Sequence, residues 1–244
     1  MKSGDEYIIN GQKTFNTETH YSDYHWLLVR TDPSVPKHKG ISMFIVDLKS
    51  PGITIRPLTT SSGLRTNEVF YEDVHVPKEN LVGEENRGWE YAGSAIGFER
   101  ILWTGDLHLR FGQFVKYLTG EKRFADIPTE NPWVLDELAQ LKTKIHIATL
   151  LSYKVAAMHD KGLPIIYESS LSKLYASEAR QHLFNIAMQI LGHYGALSGG
   201  SKWAPLNGMI QHEYLDSCRW TIIAGSSEIQ RYILALRGLG LPRK

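Results

Sequence analysis

The sequence predicts an α+β fold, in which a small antiparallel β-barrel or sandwich domain is followed by a four-helix-bundle domain. The first 80 residues hold several short strand-like segments separated by proline and glycine. The remainder holds long segments whose apolar residues recur at helical spacing. We expect the β domain to cover residues 1–80 and the bundle to cover residues 81–244, as two packed domains or one composite unit.

The composition is that of an ordinary globular chain. Of 244 residues, 42% are hydrophobic and 22% charged, and a net charge of +1 gives no electrostatic case for binding nucleic acid or a membrane surface. The single cysteine, Cys218, excludes an intrachain disulfide framework and fits a reducing cytosol. No apolar run approaches the roughly 20 residues that span a bilayer, and the histidine spacing fits no metal site. We therefore expect a cytoplasmic chain without a bound metal.

The strand-like segments are bounded by turn residues. The pair Asn10-Gly11 lies between two strand-prone runs, which predicts a hairpin, because a type I′ turn requires positive φ at both central positions. Prolines and glycines separate the later segments. These further predicted strands are Trp26–Thr31, Ser42–Asp47, Ile53–Leu58 and Glu68–Val76.

The helical segments follow the turn-rich stretch that ends at Gly88. The predicted helices are Trp89–Leu118, Trp133–Asp160, Pro164–Leu191, Asn207–Trp220 and Ser227–Arg237. The second of them carries apolar residues at helical spacing, which indicates a face turned towards a bundle core. These residues are Leu138, Leu141, Ile145, Ala148 and Leu151.

Four segments occur in an order that points to one protein family. They are Tyr7–Lys13, then Asn67–Trp89, then Gln189–Gly192, and finally Ile222-Ile-Ala-Gly-Ser-Ser-Glu-Ile-Gln-Arg231. Each is weakly specific alone, but all four in this order are strongly specific. The chain thus resembles the acyl-CoA dehydrogenases, from their middle β domain to the end of their C-terminal helical bundle.

The resemblance lacks the family's beginning. Acyl-CoA dehydrogenases normally start with an all-helical domain, followed by a Gly/Ser-bearing strand motif that contacts flavin and substrate. This chain starts downstream of both with Met1, so the enzyme is either truncated or naturally split, and we favour a split enzyme with a partner polypeptide. We expect a chain without the helical domain to expose apolar surface that a partner covers.

The resemblance implies an activity, and it implies that the catalytic base lies at a different position from that of many family members. The family removes a proton α to a thioester carbonyl while hydride leaves the β carbon for FAD, which requires a carboxylate and hydrogen-bond donors for the carbonyl. Many members carry the catalytic glutamate where this chain has Ala224, whose backbone N–H still serves as a donor. A subset that resembles isovaleryl-CoA dehydrogenase places the glutamate in the first bundle helix, directly before an arginine. Gly97-Phe-Glu-Arg100 matches that pattern, so the resemblance makes Glu99 the base and Arg100 a substrate-binding neighbour. The alternative for Glu99 is an ordinary solvated helix residue.

The resemblance also implies a set of FAD-binding residues. They are Phe15, Thr17, Gln189, Gly192, His193, Gly225, Ser226 and Glu228. Phe15 stands where the family packs a tryptophan on the flavin ring, and Thr17 where a hydroxyl approaches flavin N5. Gln189, Gly192 and His193 match residues that contact a neighbouring subunit's FAD, to which Lys122 or Arg123 is a candidate further contact.

Three functions follow from the resemblance. The first is an FAD-dependent acyl-CoA dehydrogenase subunit, active in a homo- or hetero-oligomer, with an acyl-CoA as substrate and electron-transfer flavoprotein as electron acceptor. The second is a non-catalytic structural subunit of a hetero-oligomeric acyl-CoA dehydrogenase. The third is a flavin oxidase or monooxygenase of the same fold.

Overall fold

The computed structural model describes residues 2–100 and 104–242. The chain divides after Ala95 into two compact units, one rich in strands and one helical. The predicted α+β class, with antiparallel sheets ahead of a helical domain, is confirmed.

The first unit contains two antiparallel sheets. Its strands are β1 (Lys2–Ser3), β2 (Glu6–Lys13), β3 (Tyr24–Arg30), β4 (Ile41–Asp47), β5 (Ile53–Thr59) and β6 (Arg65–Pro77). Within the described residues one sheet has the order β1-β2-β6-β5, and β3 pairs with β4 in the other. The four later predicted strands are therefore confirmed, each within about three residues at its ends.

One apolar core holds these sheets together. Alternate residues of the strands point inwards, as the period of a β-strand requires. The rings of Tyr7 and Phe44 meet edge to face with centroids 4.7 Å apart. The buried side chains of this core are Tyr7, Ile9, Leu27, Phe44, Val46, Val69, Tyr71, Val74 and Val76.

The hairpin predicted at Asn10-Gly11 is wrong. β2 runs through both residues as one strand, and its register with β6 shifts between Ile9 and Gly11, which marks a β-bulge. The Asn10 amide donates to Asp73 Oδ1 at 2.8 Å and accepts from the Asp73 backbone N–H at 2.8 Å. The Asn-Gly pair thus forms a β-bulge instead of a turn, because the Asn10 side chain has a hydrogen-bond partner on the neighbouring strand.

The second unit is a bundle of long helices joined by short ones. The helices are α1 (Gly88–Glu99), which crosses from the first unit, α2 (Thr104–Gly120), α3 (Ile127–Glu130), α4 (Pro132–Asp160), α5 (Glu168–Leu191), α6 (Met209–Trp220) and α7 (Ser227–Ile233). The predicted helix Trp89–Leu118 corresponds to α1 and α2, and its residues 101–103 lie outside the described residues. None of the described helices is both long and apolar enough to cross a membrane.

The bundle core follows the predicted face of α4. Leu141, Ile145 and Ala148 are fully buried. The helix starts sharply, because Asn131 caps it by accepting the Trp133 N–H and Pro132 occupies its first position.

A buried ion-pair network fastens α5 to α2 and α6. Arg180 on α5 donates to Asp106 Oδ2 at 2.5 Å and to Glu213 Oε2 at 2.6 Å, and its guanidinium lies 4.3 Å from the centroid of the Trp220 ring. Charges so deeply buried are tolerated only when they are paired. The network therefore fixes the position of α5 against α2 and α6.

Candidate active site

The C-terminal loop between α6 and α7 has an unusual backbone. Ala224 adopts φ 51 and Gly225 adopts φ 95, both in the left-handed region. The Ser227 N–H donates to the Thr221 carbonyl at 2.8 Å, which closes the loop. Among the described residues the Ala224 N–H donates no hydrogen bond within the chain.

Arg100 holds this loop from the end of α1. Its Nε and Nη2 donate to the Ala224 carbonyl at 3.1 and 2.8 Å, and its Nη1 donates to Ser170 Oγ on α5 at 3.4 Å. Burial is the main effect on Arg100 and lowers its pKa, which neighbouring Glu99 opposes. A planar guanidinium is suited to this work, since two of its N–H groups reach one oxygen.

Glu99 lies beside this link. It is the last residue of α1 and its side chain is exposed, whereas Arg100 is half-buried. The predicted pair therefore has one member free to meet a ligand and one member bound to the loop that carries Ala224.

Gly225 and Ser226 occupy positions that restrict their replacement. A Cβ on Gly225 would lie 2.4 Å from Gln230 Nε2 and 3.3 Å from Arg100 Nη2. Gln230 is fully buried, and its amide donates to the carbonyls of Ala224 and Gly225 at 3.2 and 2.9 Å. Ser226 caps α7 by accepting the Ile229 N–H at 3.4 Å.

Glu228 lies in the first turn of α7 with its carboxylate exposed. A hydrogen bond from the Ser226 hydroxyl is the main cause that lowers the pKa of Glu228. Glu228 is thus an anion at neutral pH that supports the cap of α7.

Two residues beneath the loop were not found from the sequence as site residues. Ser170 accepts from Arg100, and Lys173, one turn further along α5, is fully buried. Burial and then the charge of Arg100 lower the pKa of Lys173 from 10.5 to about 8, against the opposing charges of Glu178 and Glu228. A fully buried lysine is rare enough to point to a functional site, but the sequence alone does not show that Lys173 is buried.

The first unit presents Phe15 and Thr17 on the segment that follows β2. Phe15 is 72% exposed and its backbone φ is 61. Thr17 is also exposed, with its hydroxyl 3.4 Å from Thr66 Oγ1. Between them, Asn16 donates its N–H to the Asn67 carbonyl at 2.9 Å and accepts from the Asn67 side chain at 2.7 Å. Because Asn67 is fully buried, it anchors a segment whose side chains face outwards.

Gln189, Gly192 and His193 form a second exposed group at the C-terminal end of α5. Gly192 ends the helix with φ 54 and ψ −132, a conformation that glycine alone adopts readily. Nearby, the Arg123 guanidinium lies 4.6 Å from the Tyr194 ring centroid and 4.8 Å from that of Trp203. These cation–π contacts hold Arg123 against the loop after α5.

Two family descriptions match the chain in succession. The acyl-CoA dehydrogenase middle domain matches residues 1–74, and the acyl-CoA dehydrogenase C-terminal domain matches residues 86–239. The second match alone covers more than half of the chain.

Relatives agree with these matches in sequence and in structure. Acyl-CoA dehydrogenase FadE26 of Mycobacterium tuberculosis is 31% identical over 254 residues, covering 100% of this chain and 63% of its own length. A variant of the Tcur3481–Tcur3483 steroid ACAD superposes with a TM-score of 0.92 at 30% identity, covering 100% of this chain and 63% of that one. The ChsE4–ChsE5 complex of Mycobacterium tuberculosis gives 0.86 at 30% identity, with 100% and 64% covered.

The chain thus spans somewhat less than two thirds of the length of these relatives. Both of its units nevertheless match the family, in the family's own order. The chain belongs to the acyl-CoA dehydrogenase family.

Proposed function

We propose that this chain is the base-bearing part of an FAD-dependent acyl-CoA dehydrogenase, which oxidises an acyl-CoA thioester between its α and β carbons. One observation carries the proposal: Arg100, directly after Glu99, donates two hydrogen bonds to the carbonyl of Ala224. The carboxylate at the end of α1 and the backbone of the C-terminal loop therefore belong to one local structure.

Glu99 and Ala224 have complementary tasks in this proposal. Glu99 removes the proton α to the thioester carbonyl, and the Ala224 N–H donates to the carbonyl oxygen as negative charge develops there. The exposure of Glu99 and the uncommitted Ala224 N–H among the described residues support these roles. Arg100 positions both, since it is covalently next to one and hydrogen-bonded to the other.

Each unit, taken by itself, carries groups that suit contact with a flavin dinucleotide. FAD is the cofactor of this family and, when bound, supplies the hydride acceptor. Exposed Phe15 offers an aromatic face and Thr17 a hydroxyl, and among the described residues the buried Asn16 Nδ2 and Ser227 Oγ have no hydrogen-bond partner. Buried polar atoms in native folds nearly always have a hydrogen-bond partner, so these two atoms are candidates for pairing with the cofactor.

The remaining residues of the proposed FAD contacts divide into two groups. Gly225, Ser226 and Glu228 belong to the C-terminal loop and the first turn of α7. Gln189, Gly192 and His193 lie exposed at the end of α5, and we propose that they meet the FAD of a neighbouring subunit.

We further propose that the enzyme functions as an oligomer with a polypeptide that carries the N-terminal region present in relatives. Two of the similar structures are named for two proteins each, the Tcur3481–Tcur3483 steroid ACAD and the ChsE4–ChsE5 complex. Exposed apolar side chains support a covering partner: Trp26 and its cross-strand neighbour Ile45 are 55% and 47% exposed. The single cysteine, Cys218, supports a cytoplasmic location.

Electron-transfer flavoprotein is the proposed electron acceptor. The caffeyl-CoA reductase–Etf complex subunit CarC of Acetobacterium woodii is 31% identical over 239 residues. If the reduced enzyme passes electrons to this flavoprotein and consumes no oxygen, it is a dehydrogenase. Oxygen consumption by the reduced enzyme would instead indicate a flavin oxidase or monooxygenase.

The test compares Glu99→Gln with wild type in the complex formed by co-expression with the polypeptide that carries the N-terminal region. Dye bleaching is followed with isovaleryl-CoA, octanoyl-CoA and a steroid side-chain thioester. We expect kcat to fall by about 10²–10⁴-fold on loss of the base, with flavin absorbance retained. Glu121→Gln, at an exposed position away from the loop, is the matched control and keeps full activity.

Two results would contradict the proposal. Undiminished turnover by Glu99→Gln would remove the base assignment. A wild-type complex that binds flavin and bleaches no dye with any of the three thioesters would favour a structural subunit.

A further inference from the structure

A stack of aromatic and cationic side chains joins the turn between α2 and α3 to the α5–α6 loop, residues 192–208. From the turn, the Arg123 guanidinium carbon lies 4.6 Å from the Tyr194 ring centroid and 4.8 Å from that of Trp203. Beneath them, the core residue Phe124 is 4% exposed and meets the Tyr194 ring edge to face at 5.6 Å. The stack thus rests on the bundle core, while Arg123 and Trp203 at its other end are exposed.

The charge of Arg123 is held in place but is not neutralised by the chain. Among the described residues no carboxylate lies within ion-pair distance of Arg123, and its N–H groups donate to no protein acceptor. A cation–π contact is electrostatic and needs none of the five in-plane N–H donors of a guanidinium. Arg123 is therefore an exposed cation that two rings hold in position and whose donors are available to a ligand.

Two other arginines of the bundle stack on a ring and show the alternative. Arg180 and Arg219 both lie over Trp220, at 4.3 and 4.9 Å from its centroid. Each of them is also paired with a carboxylate: Arg180 has two such partners, and Arg219 Nη2 lies 2.8 Å from Asp216 Oδ2. Arg123 has the stacking without the carboxylate, so an anion from outside the chain would complete it in the same way.

The backbone of the α5–α6 loop fixes Trp203 in this place. Leu206, Asn207 and Gly208 have successive φ values of 49, 55 and 82, all in the left-handed region. A Cβ on Gly208 would lie 2.2 Å from the Gly199 backbone nitrogen, so the chain closes on itself around Trp203. Compact loops of this kind, with unfavourable backbone angles, often carry function.

The surroundings of Arg123 suit a phosphate with more than one charge. Exposed Lys202 brings a second cation, its ammonium nitrogen 4.9 Å from the Trp203 ring centroid. At the start of the same loop, Gly192 has nothing within 4 Å of an added Cβ, which leaves its backbone open to close approach. A guanidinium binds phosphate oxygens in pairs, and an ammonium adds a point charge. A diphosphate group matches this combination.

We propose that Trp203 is a positioning residue: together with Tyr194 it holds the Arg123 guanidinium so that the guanidinium N–H groups bind a diphosphate. FAD and coenzyme A both carry a diphosphate, and this shared group is what the stack recognises. This role of Trp203 rests on the proposed function, in which the end of α5 meets the FAD of a neighbouring subunit. Its tests measure binding and do not depend on turnover.

The first test titrates ADP into the full chain and follows the Arg123 Nε–H and Trp203 Nε1–H signals by NMR. ADP is the probe because it carries a diphosphate. We expect both signals to shift saturably with ADP and to stay unchanged with adenosine, which lacks the phosphates. Arg123→Ala abolishes the saturable shift of the Trp203 signal, because the phosphate oxygens lose their donors.

The second test identifies the source of the diphosphate in the assembled complex. FAD is removed and titrated back, with binding followed by quenching of flavin fluorescence, and coenzyme A is titrated separately by calorimetry. We expect Arg123→Ala to raise one of the two Kd values by about ten- to hundredfold, since a charge-assisted contact is lost. A raised Kd for FAD identifies the neighbouring subunit's cofactor as the source, and a raised Kd for coenzyme A identifies the substrate.

A double-mutant cycle on that Kd separates positioning from a merely structural role. Trp203→Ala raises it about three- to tenfold, since the guanidinium loses one of its rings, whereas Trp203→Phe keeps a ring face and stays within about twofold of wild type. In the Arg123→Ala background, Trp203→Ala has no further effect, because it acts through Arg123. Trp133→Ala, which removes another exposed tryptophan at the start of α4, is the matched control and binds as wild type does.

Three outcomes would overturn the proposal. ADP that shifts neither signal, or no more than adenosine does, would show that the stack binds no diphosphate. Kd values for FAD and coenzyme A that are both unchanged in Arg123→Ala would show the same for the assembled complex. An equal effect of Trp203→Ala with and without Arg123 would show that Trp203 only maintains the loop. A complex that binds through Arg123 but bleaches no dye would instead refute the proposed activity and leave the role of Trp203 standing.

Discussion

Replacement of Gly225 by alanine tests whether the C-terminal loop is as tightly determined as its contacts indicate. The new Cβ meets Gln230 Nε2 at 2.4 Å, a separation that real Cβ atoms do not show, and φ 95 is a strained backbone conformation for alanine. The Gln230 amide must move and lose its bonds to the carbonyls of Ala224 and Gly225. Backbone strain costs about 1–2 kcal/mol, and two neutral hydrogen bonds cost roughly 1–3 kcal/mol more.

Gly200 provides the control, because it has φ 93 and nothing within 4 Å of its added Cβ. Gly200→Ala therefore carries the strain alone, and we expect Gly225→Ala to lower the free energy of unfolding by a further 1–3 kcal/mol or so. Urea unfolding of each variant, followed by far-UV circular dichroism of the helices, measures the difference. Equal losses, within about 0.5 kcal/mol, would refute the view that Gln230 is held in place by the loop.

Two further predictions concern the residues around this loop. Arg100→Lys keeps the charge but loses the planar guanidinium that donates twice to the Ala224 carbonyl. We therefore expect kcat of the assembled enzyme, measured by steady-state kinetics, to fall about ten- to hundredfold with a small change in KM. A change in kcat below twofold would contradict this. The pKa of Lys173 is about 8 in the fold against 10.5 in an unfolded chain, so the unfolded state binds more protons between these values and stability rises with pH there. Lys173→Met removes this dependence. We therefore expect the variant to be more stable than wild type at pH 8 and the difference in free energy of unfolding, measured by urea titration, to shrink as the pH rises to 10.5. A difference that stays constant over this range would contradict the lowered pKa of Lys173.

The later strands and the principal helices were predictable from the sequence, because proline and glycine separate segments of clear period. β4 and α4 begin within a residue of the prediction for this reason. Asn10-Gly11 misled, since its turn chemistry is satisfied across the sheet by Asp73. Local sequence does not show that a partner 63 residues away supplies these bonds.

The candidate site, too, could be predicted from the sequence only in part. Glu99, Ala224 and Gly225 come from the resemblance to a family, whereas the link through Arg100 joins residues 124 positions apart and appears only in the fold. Ser170 carries no recognisable motif, and its role comes from its place on α5 below Arg100. Spacing along a chain predicts contacts within an element, while these contacts join separate elements.

The buried amide of Asn67 has a consequence for affinity. It donates to the Asn16 carbonyl, while the Asn67 backbone carbonyl accepts from the Asn16 N–H, so the Phe15–Thr17 segment acquires its shape when the β unit folds. Ordering three backbone residues costs about 3–6 kcal/mol in conformational entropy. Folding has already ordered this segment, so a cofactor that binds it, as proposed, keeps more of its contact energy as affinity. Asn67→Ala would therefore weaken cofactor binding, although Asn67 itself does not touch the cofactor.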